Sequence, residues 1–288
     1  MLTESQEQYL FNCDTSLEKL RNFHCPIYAP DKNGNPIAIG TGVLIDIDGY
    51  KFLVSAGHVF DYTYTHRVAI KSKNKLVNIT GDIIENKYSQ TRKEDKIDLA
   101  ILILNEKMEQ ALSDYNYLKI SNIDYNHISN KMDTSYTFIG FPATKNKTRY
   151  NTKNVKGALY SYTASRVKEE VYKALGITTA THIAITFNKR KLLSTDKKKT
   201  TVPDPYAMSG GGIWLNDNLN QHPSIYKPKI KLVGIALSWH KKYNCLMGVS
   251  TSAVLGIIKE NCNITQLNEC FLSAEKIKTN NLLKQWTS

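Results

Sequence analysis

From residue 26 onward the chain is a succession of short β-rich stretches separated by turn residues, and this spacing limits the possible folds more than any other feature. Such stretches fall at 37–47, 51–55, 99–104, 136–141, 158–162, 182–187 and 231–239. Asp48-Gly49 between the first two is a strong hairpin turn, because both residues tolerate positive φ. Strands this short and this regularly spaced predict a sandwich or barrel rather than βαβ units, which need a helix between successive strands. No repeat of solenoid period is present. Helical periodicity is confined to the ends. Over 4–22, Leu10, Cys13, Leu17 and Leu20 form one stripe with Glu and Gln on the other faces, and helical pattern returns at 252–260 and from 265 onward. The expectation is a mainly β protein with helices at both ends.

The length of 288 residues accommodates two β modules. The polar, weakly periodic segment 105–132 reads as their connection. The expected division is a helical extension over 1–23, a first module with its linker over 24–122, a second module over 123–262 and a helical tail over 263–288. With 41% apolar residues the chain can bury a sizeable core, which excludes disorder over most of its length. No apolar run reaches about 18 residues, so no membrane helix is expected. The opening residues, Met1-Leu2-Thr3-Glu4-Ser5-Gln6-Glu7, are acidic and polar where a secretory leader is basic and then apolar, which points to the cytoplasm. The five cysteines, Cys13, Cys25, Cys245, Cys262 and Cys270, are far apart and never in a CxxC spacing. They read as reduced thiols rather than as a disulfide framework or a zinc site. No phosphate loop, dinucleotide fingerprint or metal-ligand spacing occurs, so no cofactor is expected.

Three short motifs carry chemistry. The first is Gly40-Thr41-Gly42-Val43-Leu44-Ile45 followed by Phe52-Leu53-Val54-Ser55-Ala56-Gly57-His58-Val59, in which small residues end a strand and let His58 project sideways. The second is Lys96-Ile97-Asp98-Leu99-Ala100-Ile101-Leu102, where an acid opens an apolar strand. The third is Ala207-Met208-Ser209-Gly210-Gly211-Gly212-Ile213-Trp214, a serine in a turn of glycines. Each alone has a plain structural explanation: a histidine satisfied after a strand, a turn acid, a flexible glycine turn. Together they supply what acyl transfer needs. A serine hydroxyl is a poor nucleophile until an imidazole takes its proton. A carboxylate on the other ring nitrogen fixes the tautomer, and backbone N–H groups beside the serine stabilise the oxyanion.

In this order the segments resemble those of trypsin-like serine peptidases of the chymotrypsin fold. Ile139-Gly140-Phe141-Pro142 is similar to the strand opening that family's second barrel, and Leu232-Val233-Gly234-Ile235-Ala236-Leu237-Ser238-Trp239 is similar to the strand that pairs with substrate backbone. The resemblance covers roughly residues 24–262. It implies two antiparallel β-barrels of the six-stranded type, here with N- and C-terminal helical extensions. It also implies His58 as general base, Asp98 as its orienting partner, Ser209 as nucleophile, and the N–H groups of Ala207 and Ser209 as the oxyanion hole. The sequence departs from the family at two positions. Ala207 stands where glycine is usual, which leads to the expectation that the oxyanion loop rests imperfectly formed, with the 206–207 carbonyl turned into the hole. Met208 replaces the usual Asp or Asn before the serine, so activation by pairing a new N-terminus with that acid is unavailable. By the same resemblance, the substrate-binding residues are Asp204, Ser238, Trp239 and His240. Asp204 either sits at the base of a primary pocket and selects Lys or Arg, or is a surface turn acid between two prolines.

The formal net charge is +12. Most of it lies in two runs. Residues 145–156 hold Lys145, Lys147, Arg149, Lys153 and Lys156 with no acid, and residues 189–199 hold Lys189, Arg190, Lys191, Lys197, Lys198 and Lys199 against Asp196. They read either as solvated loops or as a docking surface for an acidic protein or a nucleic acid. Thin aromatic interleaving argues against a dedicated single-strand binder. The expected function is an intracellular serine endopeptidase acting on protein substrates, by analogy one with a regulated stress or defence role. The alternative is a peptidase-like binding module that uses the cleft and the basic loops.

Overall fold

The computed structural model describes residues 3–85, 92, 95–128, 134–147, 157–188 and 203–267. The first module contains β1 (His24–Pro30), β2 (Pro36–Ile47), β3 (Tyr50–Ala56), β4 (Ala69–Ser72), β5 (Lys75–Asn78), β6 (Ile83–Glu85), β7 (Leu99–Ile103) and β8 (Leu118–Lys119). They form one sheet in the order β5-β4-β1-β2-β3-β7-β6, antiparallel throughout, with β8 added in parallel along β2. Asp48 and Gly49 both take positive φ, at 53° and 87°, and close the β2–β3 hairpin with a two-residue turn.

The second module contains β9 (Ser135–Gly140), β10 (Tyr160–Ser165), β11 (His182–Thr186), β12 (Gly212–Asp217), β13 (Lys229–His240) and β14 (Cys245–Ser250), in the order β10-β9-β12-β13-β14-β11. The edges of this sheet approach each other, since Arg166 bridges to Ile185 and the Val167 N–H donates to the Ala184 carbonyl at 2.9 Å. The architecture is mainly β and consistent with a two-barrel chymotrypsin-like fold. The first sheet has eight strands where six were expected: seven lie on one path and β8 joins it by pairing with β2. That strand lies in the 105–132 segment read above as a plain connection, which also carries the helix Glu106–Ala111.

Five helices are described: α1 (Glu4–Leu20), α2 (Gly57–Phe60), α3 (Glu106–Ala111), α4 (Glu169–Leu175) and α5 (Thr251–Asn261). Helix α1 starts with a capping box between Thr3 and Gln6. Of its expected stripe only Leu20 is fully buried, and the other two buried residues are the polar Asn12 and Ser16. Asn12 donates to the Leu219 and Gln221 carbonyls, each at 2.8 Å, and Ser16 bonds to the Tyr226 hydroxyl at 2.6 Å. The extension therefore docks on the β12–β13 connection by hydrogen bonds. Helices α3 and α4 fall in the stretch where no helical pattern was expected. The helical pattern expected from 265 onward starts within 265–267, and the rest of the tail lies outside the described residues.

One hydrophobic cluster runs through both sheets. Val43, Leu53 and Ile101 of the first pack with Trp214, Ile235 and Val249 of the second and with Val254, Leu255 and Ile258 of α5. Cys13, Cys25, Cys245 and Cys262 are free thiols, and burial raises the pKa of each, keeping them protonated. No helix among the described residues is long and apolar enough to cross a membrane.

Candidate active site

The three motifs meet at the seam between the sheets. Strand β3 ends at Ala56, and the chain turns directly into α2, which places His58 in a first helical turn at the rim of the core. Asp98 immediately precedes β7, the neighbour of β3, and so arrives beside it. The Gly57 N–H donates to the Asp98 carbonyl at 2.6 Å, and the His58 N–H donates to Asp98 Oδ1 at 3.0 Å. His58 Nδ1 lies 2.6 Å from Asp98 Oδ2. That contact assigns the proton to Nδ1 and leaves Nε2 of the neutral ring as a proton acceptor. Asp98 holds φ at 33°, a left-handed conformation that aspartate tolerates better than most residues. Its side chain is 11% exposed and that of His58 40%, so the carboxylate is sheltered while the imidazole faces outward.

Ser209 precedes β12 of the second sheet. Its carbonyl accepts from the Thr41 N–H at 2.8 Å, which ties the serine turn to β2. Gly210 has φ at 83°, and a Cβ there would lie 2.0 Å from Ser55 Oγ and 2.1 Å from the Thr41 carbonyl oxygen. Only glycine permits so close an approach. The Ser209 hydroxyl donates to the Leu237 carbonyl at 2.9 Å. Leu237 lies where the register between β13 and β14 shifts, and that bulge is what turns its carbonyl toward Ser209. The structure thus pairs His58 with Asp98 directly, while the Ser209 hydroxyl rests on a backbone acceptor.

The oxyanion loop is ordered differently from the expectation. Ala207 takes φ of 71°. The Tyr206 carbonyl accepts from the Ala143 N–H at 2.9 Å, so the 206–207 carbonyl is turned onto that segment and the Ala207 N–H points the other way. Met208, Gly210 and Gly211 spend their N–H groups on the carbonyls of Pro205, Ala236 and Met208. Among the described residues, those of Ala207 and Ser209 take part in no such bond, and both remain available as donors.

The other expected residues are arranged as follows. The Asp204 carboxylate accepts from the Tyr206 N–H at 3.2 Å, which is turn-capping geometry. Ser238 Oγ and His240 Nε2 lie 2.9 Å apart on one face of the end of β13, and burial lowers the His240 pKa. Trp239 stands edge-on to Phe187 with ring centroids 5.6 Å apart and carries the Lys241 ammonium 4.8 Å from its own centroid. The basic run 189–199 lies outside the described residues, as does 145–156 beyond Lys147. Among the described residues no cluster of His, Cys, Asp and Glu could hold a metal ion.

Sequence reading missed Thr41. Its hydroxyl donates to the Ala207 carbonyl at 3.1 Å and accepts from the Phe141 N–H at 2.9 Å, so one buried side chain links β2 to the oxyanion loop and to the end of β9. The flanking Gly40 and Gly42 were the only sequence hint that this position is crowded.

No protein-family model and no curated protein matches the chain. Among solved structures it is similar to the serine protease domain of the Sesbania mosaic virus polyprotein, with 14% identity over 80% of this chain and 89% of that one and a TM-score of 0.43. It is also similar to a chain from a structure concerning the coupled folding and binding of the intrinsically disordered Sesbania mosaic virus VPg protein, with 15% identity over 81% and 93% and a TM-score of 0.44.

Proposed function

We propose that the chain is a serine endopeptidase that cleaves protein or peptide substrates through an acyl-enzyme. The observation that carries this reading is the 2.6 Å contact of His58 Nδ1 with Asp98, joined through a shared seam to a serine turn with two uncommitted N–H groups. In the reaction, Ser209 Oγ swings from the Leu237 carbonyl to His58 Nε2, gives up its proton and attacks the scissile carbonyl carbon. The developing oxyanion is met by the N–H groups of Ala207 and Ser209. The imidazolium, stabilised by Asp98, then protonates the leaving amine, and water repeats the sequence to release the acid. Asp204 fits a turn-capping role better than a pocket base, because its carboxylate is directed at its own chain. Ser238 and His240 are the polar groups proposed to face substrate at the end of β13.

One observation favours a second reading, a peptidase-like binding module. The Ser209 hydroxyl donates to a backbone carbonyl rather than to the base. Labelling with a fluorophosphonate separates the two. A peptidase forms an adduct on Ser209, located by peptide mass spectrometry, and loses it in Ser209→Ala. An unlabelled wild-type chain that binds peptide would establish the second reading.

A further inference from the structure

Four carboxylates converge on one guanidinium beside His58. Arg92 Nη2 donates to Asp61 Oδ1 at 2.6 Å and to Glu85 Oε2 at 3.0 Å, while its Nε donates to Asp61 Oδ2 at 3.0 Å. Its Nε also lies 3.7 Å from Asp98 Oδ1, and its Nη1 lies 3.9 Å from Asp95 Oδ2. These acids come from three places: Asp61 directly follows α2, Glu85 ends β6, and Asp95 and Asp98 flank the turn into β7. The Arg92 side chain is 13% exposed, so its interactions are sheltered from solvent. Burial disfavours its charge, but the hydrogen bond and attraction of Asp61 and the charge of Glu85 outweigh that and raise its pKa. Gly57 explains how the group fits. A Cβ there would lie 2.4 Å from Arg92 Nη1 and 2.8 Å from Asp98 Oδ1, so the missing side chain makes room for the guanidinium against the backbone next to His58.

We propose that Arg92 is a positioning residue for the His58–Asp98 pair: it ties the turn that bears Asp98 to the helix that bears His58, and it offsets the surrounding carboxylates that would otherwise hold the imidazole protonated. This rests on the serine peptidase reading of the same site. A general base must be unprotonated to accept the serine proton. With Arg92 removed, Asp61, Glu85, Asp95 and Asp98 are left with no cation among them, Asp98 is in contact with the histidine, and imidazolium becomes the favoured counter-charge. The remaining groups nearby do not replace it. Lys96 is turned away to the Gly176 carbonyl at 2.7 Å, and Tyr62 is engaged by the Tyr206 hydroxyl. Arginine suits the position because its planar fork meets both oxygens of Asp61 at once, which an ammonium does not.

The test compares Arg92→Met, Arg92→Lys and Glu85→Gln in the full chain. Two readouts are followed against pH: the rate of fluorophosphonate labelling, and the His58 imidazole signal by NMR. In Arg92→Met the acid limb of the rate profile and the imidazole titration should both move to higher pH. The rate on the acid side should fall by about three- to tenfold, as a displacement of half to one unit requires, with a smaller change at the high-pH plateau. Arg92→Lys should keep the limb near its wild-type position and lower the plateau, since charge is retained and the fork is lost. Glu85→Gln removes a carboxylate and should move both readouts the opposite way, which serves as the deciding variant if Arg92→Met fails to fold. A uniform loss of rate in Arg92→Met, with the imidazole titration unmoved, would overturn the proposal, as would an unmoved titration in Glu85→Gln. A wild-type chain that never labels refutes the peptidase reading instead, and the NMR titration still reports whether Arg92 acts on His58.

Discussion

Thr41→Val is the perturbation that most directly tests how the seam holds the oxyanion loop. Every polar atom of Thr41 is used. Its N–H donates to the Ser209 carbonyl, its carbonyl accepts from Ser55 Oγ at 2.7 Å, and its hydroxyl joins Ala207 to Phe141. Valine keeps the volume and the β-branched shape, so strand propensity and packing are preserved. What it removes is one donor and one acceptor, stranding the Ala207 carbonyl and the Phe141 N–H, both in residues at most 5% exposed. Each stranded group costs about 1–3 kcal/mol, so the loss should be roughly 2–6 kcal/mol. A domain near the middle of the usual range of about 5–15 kcal/mol survives that. Thr41→Ser is the matched control, because it restores both bonds and gives up one buried methyl, about 1 kcal/mol. Urea unfolding measures the difference. Fluorophosphonate labelling measures the consequence for the loop, which should be about tenfold slower in Thr41→Val, short of the 10²–10³-fold that follows loss of an oxyanion donor. If Thr41→Val proved as stable as Thr41→Ser and labelled as fast, the hydroxyl would be incidental and the seam would be held by packing alone.

Two further outcomes are expected. Gly210→Ala should destabilise the chain by about 3 kcal/mol or more, since its Cβ meets the Thr41 carbonyl, a backbone atom that cannot yield, and φ is already 83°; unfolding midpoints near wild type would contradict this close approach. Stability should also depend on pH through two buried histidines. Burial lowers both His24 and His182 to about 4 from an ordinary 6.5, so as pH falls from about 6.5 the unfolded chain takes up protons that the folded chain refuses. Stability should therefore decline between about pH 6.5 and 4 and level off below, by about 3 kcal/mol for each group. His182→Gln should reduce that slope by its own share, and an unchanged slope would refute the assignment.

The strands that sequence reading found are those whose composition speaks for itself, such as β2 and β13, long and rich in Ile, Leu and Val. Those it missed lack an alternating pattern for a physical reason. β1 and β14 are buried on both faces, so polar residues never mark an outer side. β1 also carries Pro26 and Pro30, which read as breakers. β4, β5 and β6 have three or four residues each, too few to show a period, and the short helices α3 and α4 escape for the same reason. The site divides along a similar line. His58, Asp98 and Ser209 could be proposed from the sequence because acyl transfer restricts which side chains can do the work. The Leu237 carbonyl was not, since a backbone acceptor leaves no mark on residue identity. Arg92 was invisible because its partners are gathered by the fold from Asp61 to Asp98 rather than by any spacing.

Ala207 shows how a departure from a resembling family is absorbed. A left-handed φ of 71° costs an alanine about 1–2 kcal/mol relative to the ordinary regions. Its methyl, however, is packed with Tyr28, Ala38 and Ala143, and burying one such group returns about 0.8 kcal/mol. An alanine also loses less backbone freedom on folding than a glycine would, by roughly 0.4–1 kcal/mol. These contributions nearly cancel, so the fold tolerates alanine here at little net cost. The geometry that matters is set elsewhere, by the Ala143 N–H holding the Tyr206 carbonyl and by Thr41 holding that of Ala207. With both carbonyls held by these bonds, the N–H between them keeps its direction whichever of the two small residues occupies the position.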